Sequence, residues 1–234
     1  MASEKSDREL QKEMQRLMAE IETVAPAGDE SVRKSAKAAP AAAPKGPLAK
    51  IKANFFLPLW LLAIPWTQEI IDQVVFNGQW NLVLIPRAWD GIPGIFLSAF
   101  SHSGFGHLIS NTIGFAIFSW LILAKNRRDY WTVLLIGWLG VGAISWLVGP
   151  TPVHGLSGVV YALFGYLLVI GWLERRIVPL LISIFVLLNY SATLWGVLPT
   201  QPLVAWWGHL IGLALGILAA YGVYQEPGSR QSKS

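Results

Sequence analysis

Beyond residue 53 the chain reads as six long apolar stretches joined by short polar connections, at about 54–76, 106–124, 130–149, 157–173, 177–197 and 205–224. Each approaches the roughly twenty residues that cross about 30 Å of hydrocarbon as an α-helix. The pattern predicts an all-α polytopic membrane protein, a bundle of six transmembrane helices. The first stretch is interrupted by Pro58 and Pro65 and carries Glu69 and Asp72 near its far end. The fourth is the shortest, and is expected to start part-way into the bilayer after the loop Pro150-Thr151-Pro152-Val153-His154-Gly155. Between the first and second lies a long semi-apolar connection, about 77–105, with Trp80, Trp89 and the run Ile92-Pro93-Gly94-Ile95-Phe96-Leu97. It has too many Pro and Gly for a clean span and is too apolar for a fully solvated loop. A segment lying in the outer membrane interface fits it best.

The first fifty residues follow another pattern. Leu10, Met14, Leu17, Ile21 and Val24 recur in steps of four and three, one narrow stripe on an amphipathic helix over residues 1–24. Such a helix offers weak self-association or partner docking through residues 4–24, but two heptads are marginal alone, which favours a frayed tail. From Ala25 to about Lys50 the chain turns to Ala, Pro, Lys and Gly, too little apolar surface to offset chain entropy, and reads as a flexible linker. The domains expected are therefore 1–50, a cytoplasmic amphipathic helix and Ala/Pro-rich linker; 51–225, the membrane domain; and 226–234, a cytoplasmic tail.

Composition agrees. Only 14% of the 234 residues are charged, against about a quarter in a soluble domain, and 53% are hydrophobic. Many of the 12 tryptophans fall near the ends of the apolar blocks, where indole suits the headgroup region. The absence of cysteine removes disulfides, thiolate metal sites and cysteine nucleophiles together. The net charge of +4 sits in short clusters beside the spans, which argues for membrane orientation and against nucleic acid. Lys34, Lys37, Lys45, Lys50 and Lys52 precede the first span, Lys125, Arg127 and Arg128 follow the second, and Arg175 and Arg176 follow the fourth, while Arg230 and Lys233 end the chain. The opposite loops carry only Arg87, so both termini are expected in the cytoplasm. The polar N-terminus does not read as a secretory signal.

Polar side chains inside apolar spans are costly and point to function. In the second span His107 and Asn111 stand four apart on one helical face. Gly155-Leu156-Ser157-Gly158 opens the fourth, where Ser157, Tyr161 and Gly165 share a face; in the sixth, Gly212 and Gly216 lie on the side of His209. Small residues four apart let helix backbones approach closely in lipid. Gly212 and Gly216 against Gly158, Ala162 and Gly165 would bring Ser157 within about 2.6–3.2 Å of His209, where imidazole can take the hydroxyl proton. His107, Asn111 and the Ser157 backbone N–H are then available to an oxyanion. No motif links Glu69 or Asp72 to His209, so a Ser–His dyad is expected, with no metal and no cofactor. Taken singly these features have plainer readings. Gly-x-Ser-Gly occurs wherever such helices pack, and an intramembrane histidine also suits a proton relay. Tyr161 by default packs and caps a carbonyl with its hydroxyl, His102 and His154 by default are structural, and Asn189 in the fifth span is expected to make an interhelical hydrogen bond.

Together, His107-x-x-x-Asn111, Gly155-x-Ser157-Gly158 and His209-x-x-Gly212-x-x-x-Gly216, in this order on these spans, resemble the rhomboid family of intramembrane serine proteases over about 85–224. The resemblance implies a bundle whose short fourth helix ends at a water-filled cavity open to the non-cytoplasmic side. The fifth helix and its overlying loop would serve as the substrate gate. It implies Ser157 as nucleophile, His209 as general base, and His107 and Asn111 as oxyanion donors. Tyr161 matches an aromatic on which the histidine stacks, and His102 a histidine that orders the first loop. Where many members carry a Trp-Arg pair in that loop, this chain has Pro86-Arg87 and then Trp89. The implied setting is a bacterial-type plasma membrane, with transmembrane proteins as substrates and the lipid bilayer as partner. Two other functions compete: a non-catalytic module binding transmembrane helices, and a small transporter, for which the chain lacks a convincing internal repeat.

Overall fold

A computed structural model describes residues 12–20, 47–200 and 204–225, with side chains in the second stretch from Asn54 onward. The chain divides into two compact units, 1–46 and 47–234. Of the first, residues 12–20 form a helix on which Met14, Leu17 and Met18 are exposed. Leu10, Ile21 and Val24 of the expected stripe, and the linker up to residue 46, lie outside the described residues.

The second unit is helical, with no strands among its described residues, and its long helices are α1 (Pro47–Val75), α2 (Phe105–Lys125), α3 (Arg127–Val148), α4 (Ser157–Glu174), α5 (Ile177–Tyr190) and α6 (Trp206–Gln225). By length and composition α2, α3, α4, α5 with the 3₁₀ turn that follows it, and α6 suffice to cross a membrane. Among its described residues α1 is not apolar enough to join them. Its polarity has a side: Pro58, Leu62, Pro65, Glu69 and Asp72, spaced four and three apart, are its buried stripe, while Phe55, Trp60 and Ile64 are exposed. The two carboxylates thus face the bundle. Glu69 accepts from Gln73 (2.9 Å) and Asp72 from the Trp80 amide (2.6 Å). The helix also starts earlier than the apolar pattern implies, at Pro47.

α4 is the most deeply buried of the five spans and packs most extensively against α6. Its contacts follow from side-chain size. A methyl group at Gly212 would overlap the Gly158 carbonyl, one at Gly216 the Ala162 carbonyl, and one at Gly165 the Leu213 carbonyl. The two backbones therefore run in direct contact, an approach that glycine alone allows. α5 is the least buried span. Its first half is pinned to α4 where buried Ser183 donates to the Leu167 carbonyl (2.5 Å) and accepts from the Gly171 amide (3.0 Å). At the same end of the bundle Lys125 pairs with Asp129 and with Glu174 (2.7 Å) and bonds the Tyr166 hydroxyl (2.9 Å). That hydroxyl donates to Asp129 (2.6 Å), so α2, α3 and α4 are tied together there.

The connection after α1 folds back on the C-terminal half of α3. Leu84 and Val153 exchange backbone hydrogen bonds of 2.9 and 3.0 Å. Arg87, in the left-handed region at φ 56°, donates from its guanidinium to the Gly149 carbonyl (2.8 Å) just past the end of α3. A cation there satisfies a carbonyl that no helical N–H reaches and complements the helix dipole. Trp146 and Trp138 of α3 return hydrogen bonds of 2.9 Å each to the carbonyls of Ala88 and Phe96. Trp89 itself is exposed. Through the Gly155 amide, which donates to the Ser98 carbonyl (2.8 Å), the same connection holds the loop that leads into α4.

Candidate active site

Gly155 introduces α4 with φ +120°, a backbone conformation that L side chains rarely adopt, so glycine is required. A Cβ there would also lie 2.9 Å from His107 Cε1, so the imidazole edge packs directly on this turn. The next amide, that of Leu156, donates to His102 Nε2 (3.2 Å). His102 is fully buried, and burial foremost, then the neighbouring His107 and His154, lower its pKa from 6.5 to about 3. It is therefore a neutral ring, able to accept the Leu156 N–H. His154 is also held below its usual range, by burial and by His107 against an opposing effect of Asp72. It shares a hydrogen bond with Ser101 Oγ (3.2 Å). Both loop histidines shape the approach to α4.

Ser157 is the first residue of α4, half-buried, and its Oγ lies 2.9 Å from His209 Nε2. The close seating of Gly158 against Gly212 sets this distance, since the two glycines each adjoin the reacting pair by a few residues. His209 is fixed on two further sides. Its ring stacks on Tyr161 with centroids 4.2 Å apart and planes 7° from parallel. Its Nδ1 lies 2.9 Å from the Gly196 carbonyl oxygen. A carbonyl can only accept, so Nδ1 carries the hydrogen and Nε2 presents a lone pair to the serine hydroxyl. The Tyr161 hydroxyl donates to the Thr193 carbonyl (2.7 Å), as its capping default implied. Thr193 and Gly196 both belong to the 3₁₀ turn Ser191–Val197 that continues α5.

α2 supplies the other wall. His107 bonds Ser103 Oγ through Nδ1 (3.2 Å) and meets His102 edge to face, with ring centroids 5.1 Å apart. Along the same helix a Cβ at Gly114 would touch Val160 of α4 (2.9 Å). Asn111 lies between these two contacts along α2, one turn after His107. It is buried, and its side-chain N–H₂ finds no hydrogen-bond partner among the described residues. A buried N–H₂ of this kind is a donor available to an acceptor that enters the site.

The structure thus brings Ser157, His209, Tyr161, His107, His102, Gly155, Gly158 and Gly212 around the start of α4, with Asn111 one turn past His107 on α2 and Gly216 one turn further along α6. Glu69 and Asp72 are engaged on α1 and the Trp80 backbone. Asn189 departs from expectation: it donates to the Phe185 carbonyl one turn back on its own helix (2.9 Å) and is exposed, so its bond is intrahelical. An exposed amide on a helix whose outer half has few packing partners bonds the nearest free lone pair. The Gly196 carbonyl was not foreseeable, because backbone acceptors carry no signature in side-chain patterns.

The family model described as the Rhomboid domain matches residues 88–226. Uncharacterized proteins of Mycobacterium bovis and Mycobacterium tuberculosis are each 31% identical over 174 residues, covering 70% of this chain and 72% of theirs. One of Mycobacterium leprae is 32% identical over 174 residues, 70% of this chain and 68% of its own.

Proposed function

The chain belongs to the rhomboid family, and from that premise we propose that it is an intramembrane serine endopeptidase. It cleaves transmembrane segments of membrane proteins near the non-cytoplasmic face. The observation that carries this reading is the 2.9 Å contact between Ser157 Oγ and an imidazole nitrogen whose ring partner is already committed to a carbonyl. Serine hydroxyl is a weak nucleophile until a base takes its proton, and this tautomer is the one that can. Oγ attacks the scissile carbonyl carbon while Nε2 receives the proton. The oxyanion that forms accepts hydrogen bonds from Asn111, His107 and the Ser157 amide. As the tetrahedral intermediate collapses, Nε2 returns its proton to the leaving amine, and water releases the acyl group by the same steps in reverse order. The unpaired Asn111 amide supports this assignment.

α1 is the sixth span on this reading, its carboxylates turned inward from lipid. Both termini lie in the cytoplasm of a cell whose plasma membrane holds the protein, as the cations at the α2–α3 and α4–α5 connections support. The test is covalent. In proteoliposomes, a fluorophosphonate probe is expected to label wild type at Ser157. Ser157→Ala, folded by its unfolding profile, is expected to lose both label and cleavage of a single-span substrate. Cleavage that survives this substitution would overturn the enzyme; a folded wild type that binds transmembrane helices and takes no label would make it a non-catalytic module.

A further inference from the structure

Among the described residues no carboxylate orients the base of the dyad, and a backbone oxygen stands where one would. We propose that the Gly196 carbonyl is the third member of this catalytic group, a positioning residue that holds His209 in the reactive tautomer. Being carried on the turn at the end of α5, it makes the base depend on how that turn is seated. The proposal rests on Ser157 and His209 being the reacting pair.

Three observations carry it. The Nδ1–oxygen distance is 2.9 Å, matching the Nε2–Oγ distance on the other side of the ring, so the imidazole is bridged between turn and nucleophile. A second bond, from the Tyr161 hydroxyl to the Thr193 carbonyl, fastens the same turn to the ring on which His209 stacks. Finally, residue 196 has room for glycine only: a methyl group there would overlap the Tyr161 hydroxyl oxygen and lie 3.4 Å from His209 Nδ1. The turn is thus seated on the dyad by its backbone, with no intervening side chain.

The chemistry follows. A neutral imidazole chooses between two tautomers, and only the one with hydrogen on Nδ1 leaves Nε2 free for the serine proton. An acceptor at Nδ1 selects it. When Nε2 takes the proton, the bond to Gly196 becomes charge-assisted and roughly twice as strong, so it strengthens as the reaction proceeds. A movement of α5 that lifts the turn withdraws this support, and the base regains it when the turn settles again.

The test weakens one oxygen and removes one backbone N–H, that of Val197, without altering any side chain. In the full chain, the amide joining Gly196 to Val197 is replaced by an ester through an α-hydroxy acid at position 197, which makes the Gly196 carbonyl a poorer acceptor. An ester at position 198 serves as control, since it perturbs the same turn, including the Leu198 N–H bond to Trp195, and leaves the Gly196 amide intact. The ester at 197 is expected to lower kcat by about 10–100-fold, the effect of losing one hydrogen bond to a charged group, with KM unchanged. ¹⁵N spectra of labelled histidine should show His209 passing from Nδ1–H alone to a mixture of tautomers. The control ester should do neither. Equal losses from the two esters, or an unaltered Nδ1–H population at position 197, would overturn the role of Gly196. Failure of the underlying dyad reads out separately, as cleavage by Ser157→Ala.

Discussion

Among the residues assigned to the oxyanion, Asn111 offers a buried N–H₂ donor with no partner among the described residues. If it waits for an oxyanion, removing it takes away an interaction made chiefly in the transition state. Asn111→Ala is therefore expected to reduce kcat by about 10²–10³-fold while KM changes little, measured on a single-span substrate in proteoliposomes. A loss confined to KM would assign Asn111 to substrate binding instead. Ser157, His209, His107 and Asn111 were legible in the sequence because a polar residue in an apolar span stands out, and because residues four apart share a helical face. The partner of Nδ1 was not legible. Read from side chains alone a third group would be a carboxylate, whereas the group at 2.9 Å is a peptide carbonyl 13 residues before His209, on the turn that follows α5. Asn189 misled for a related reason: an amide in a span implies a partner but not which helix provides it.

At the scale of helices, the pairing of α4 with α6 is what turns two motifs into one site. Gly216 meets the Ala162 carbonyl one turn beyond the Gly212–Gly158 contact, so it controls the same spacing without touching the reacting atoms. Gly216→Val should wedge the helices apart at a cost of about 1–3 kcal/mol, the usual penalty of overpacking. Probe labelling at Ser157 is expected to fall with the lowered unfolding midpoint. Normal labelling in that variant would mean that the dyad spacing is held elsewhere. This pairing could be read beforehand from small residues at helical spacing. The extent of α1 could not. Its N-terminal turns carry lysines and proline, and the apolar pattern that marks a span is silent about helix outside lipid, so the start at Pro47 went unseen. The connection after α1 was recognised as semi-apolar, yet its docking on α3 through Arg87, Trp138 and Trp146 depends on backbone carbonyls, again invisible in side-chain order.

For the molecule as a whole, the loop histidines tie stability to acidity. His102 titrates at about 3 when folded and near 6.5 when exposed, so the unfolded chain binds the extra proton between those values. Stability from this residue is complete above pH 6.5 and drains away as pH falls toward 3. The unfolding midpoint in detergent should accordingly drop between pH 7.5 and about 4.5, and His102→Gln, which retains an acceptor for the Leu156 amide, should flatten that drop. An unchanged slope in the variant would assign the acid sensitivity to other groups. Distribution of rigidity matters equally. With Ser183 clasped by Leu167 and Gly171, α5 has a fulcrum, and its α-helical arm beyond that point runs from Ser183 to Tyr190, about 10 Å at 1.5 Å per residue, and continues into the 3₁₀ turn Ser191–Val197. A tilt of about 20° moves the end of that α-helical arm, where the turn carrying Gly196 begins, by about 3 Å, enough to part a hydrogen bond but far less than the roughly 10 Å girth of an intact helix. On the proposed reading a guest segment would shed its helical form at the threshold, and its stiffness, more than its side chains, would decide how fast it is admitted.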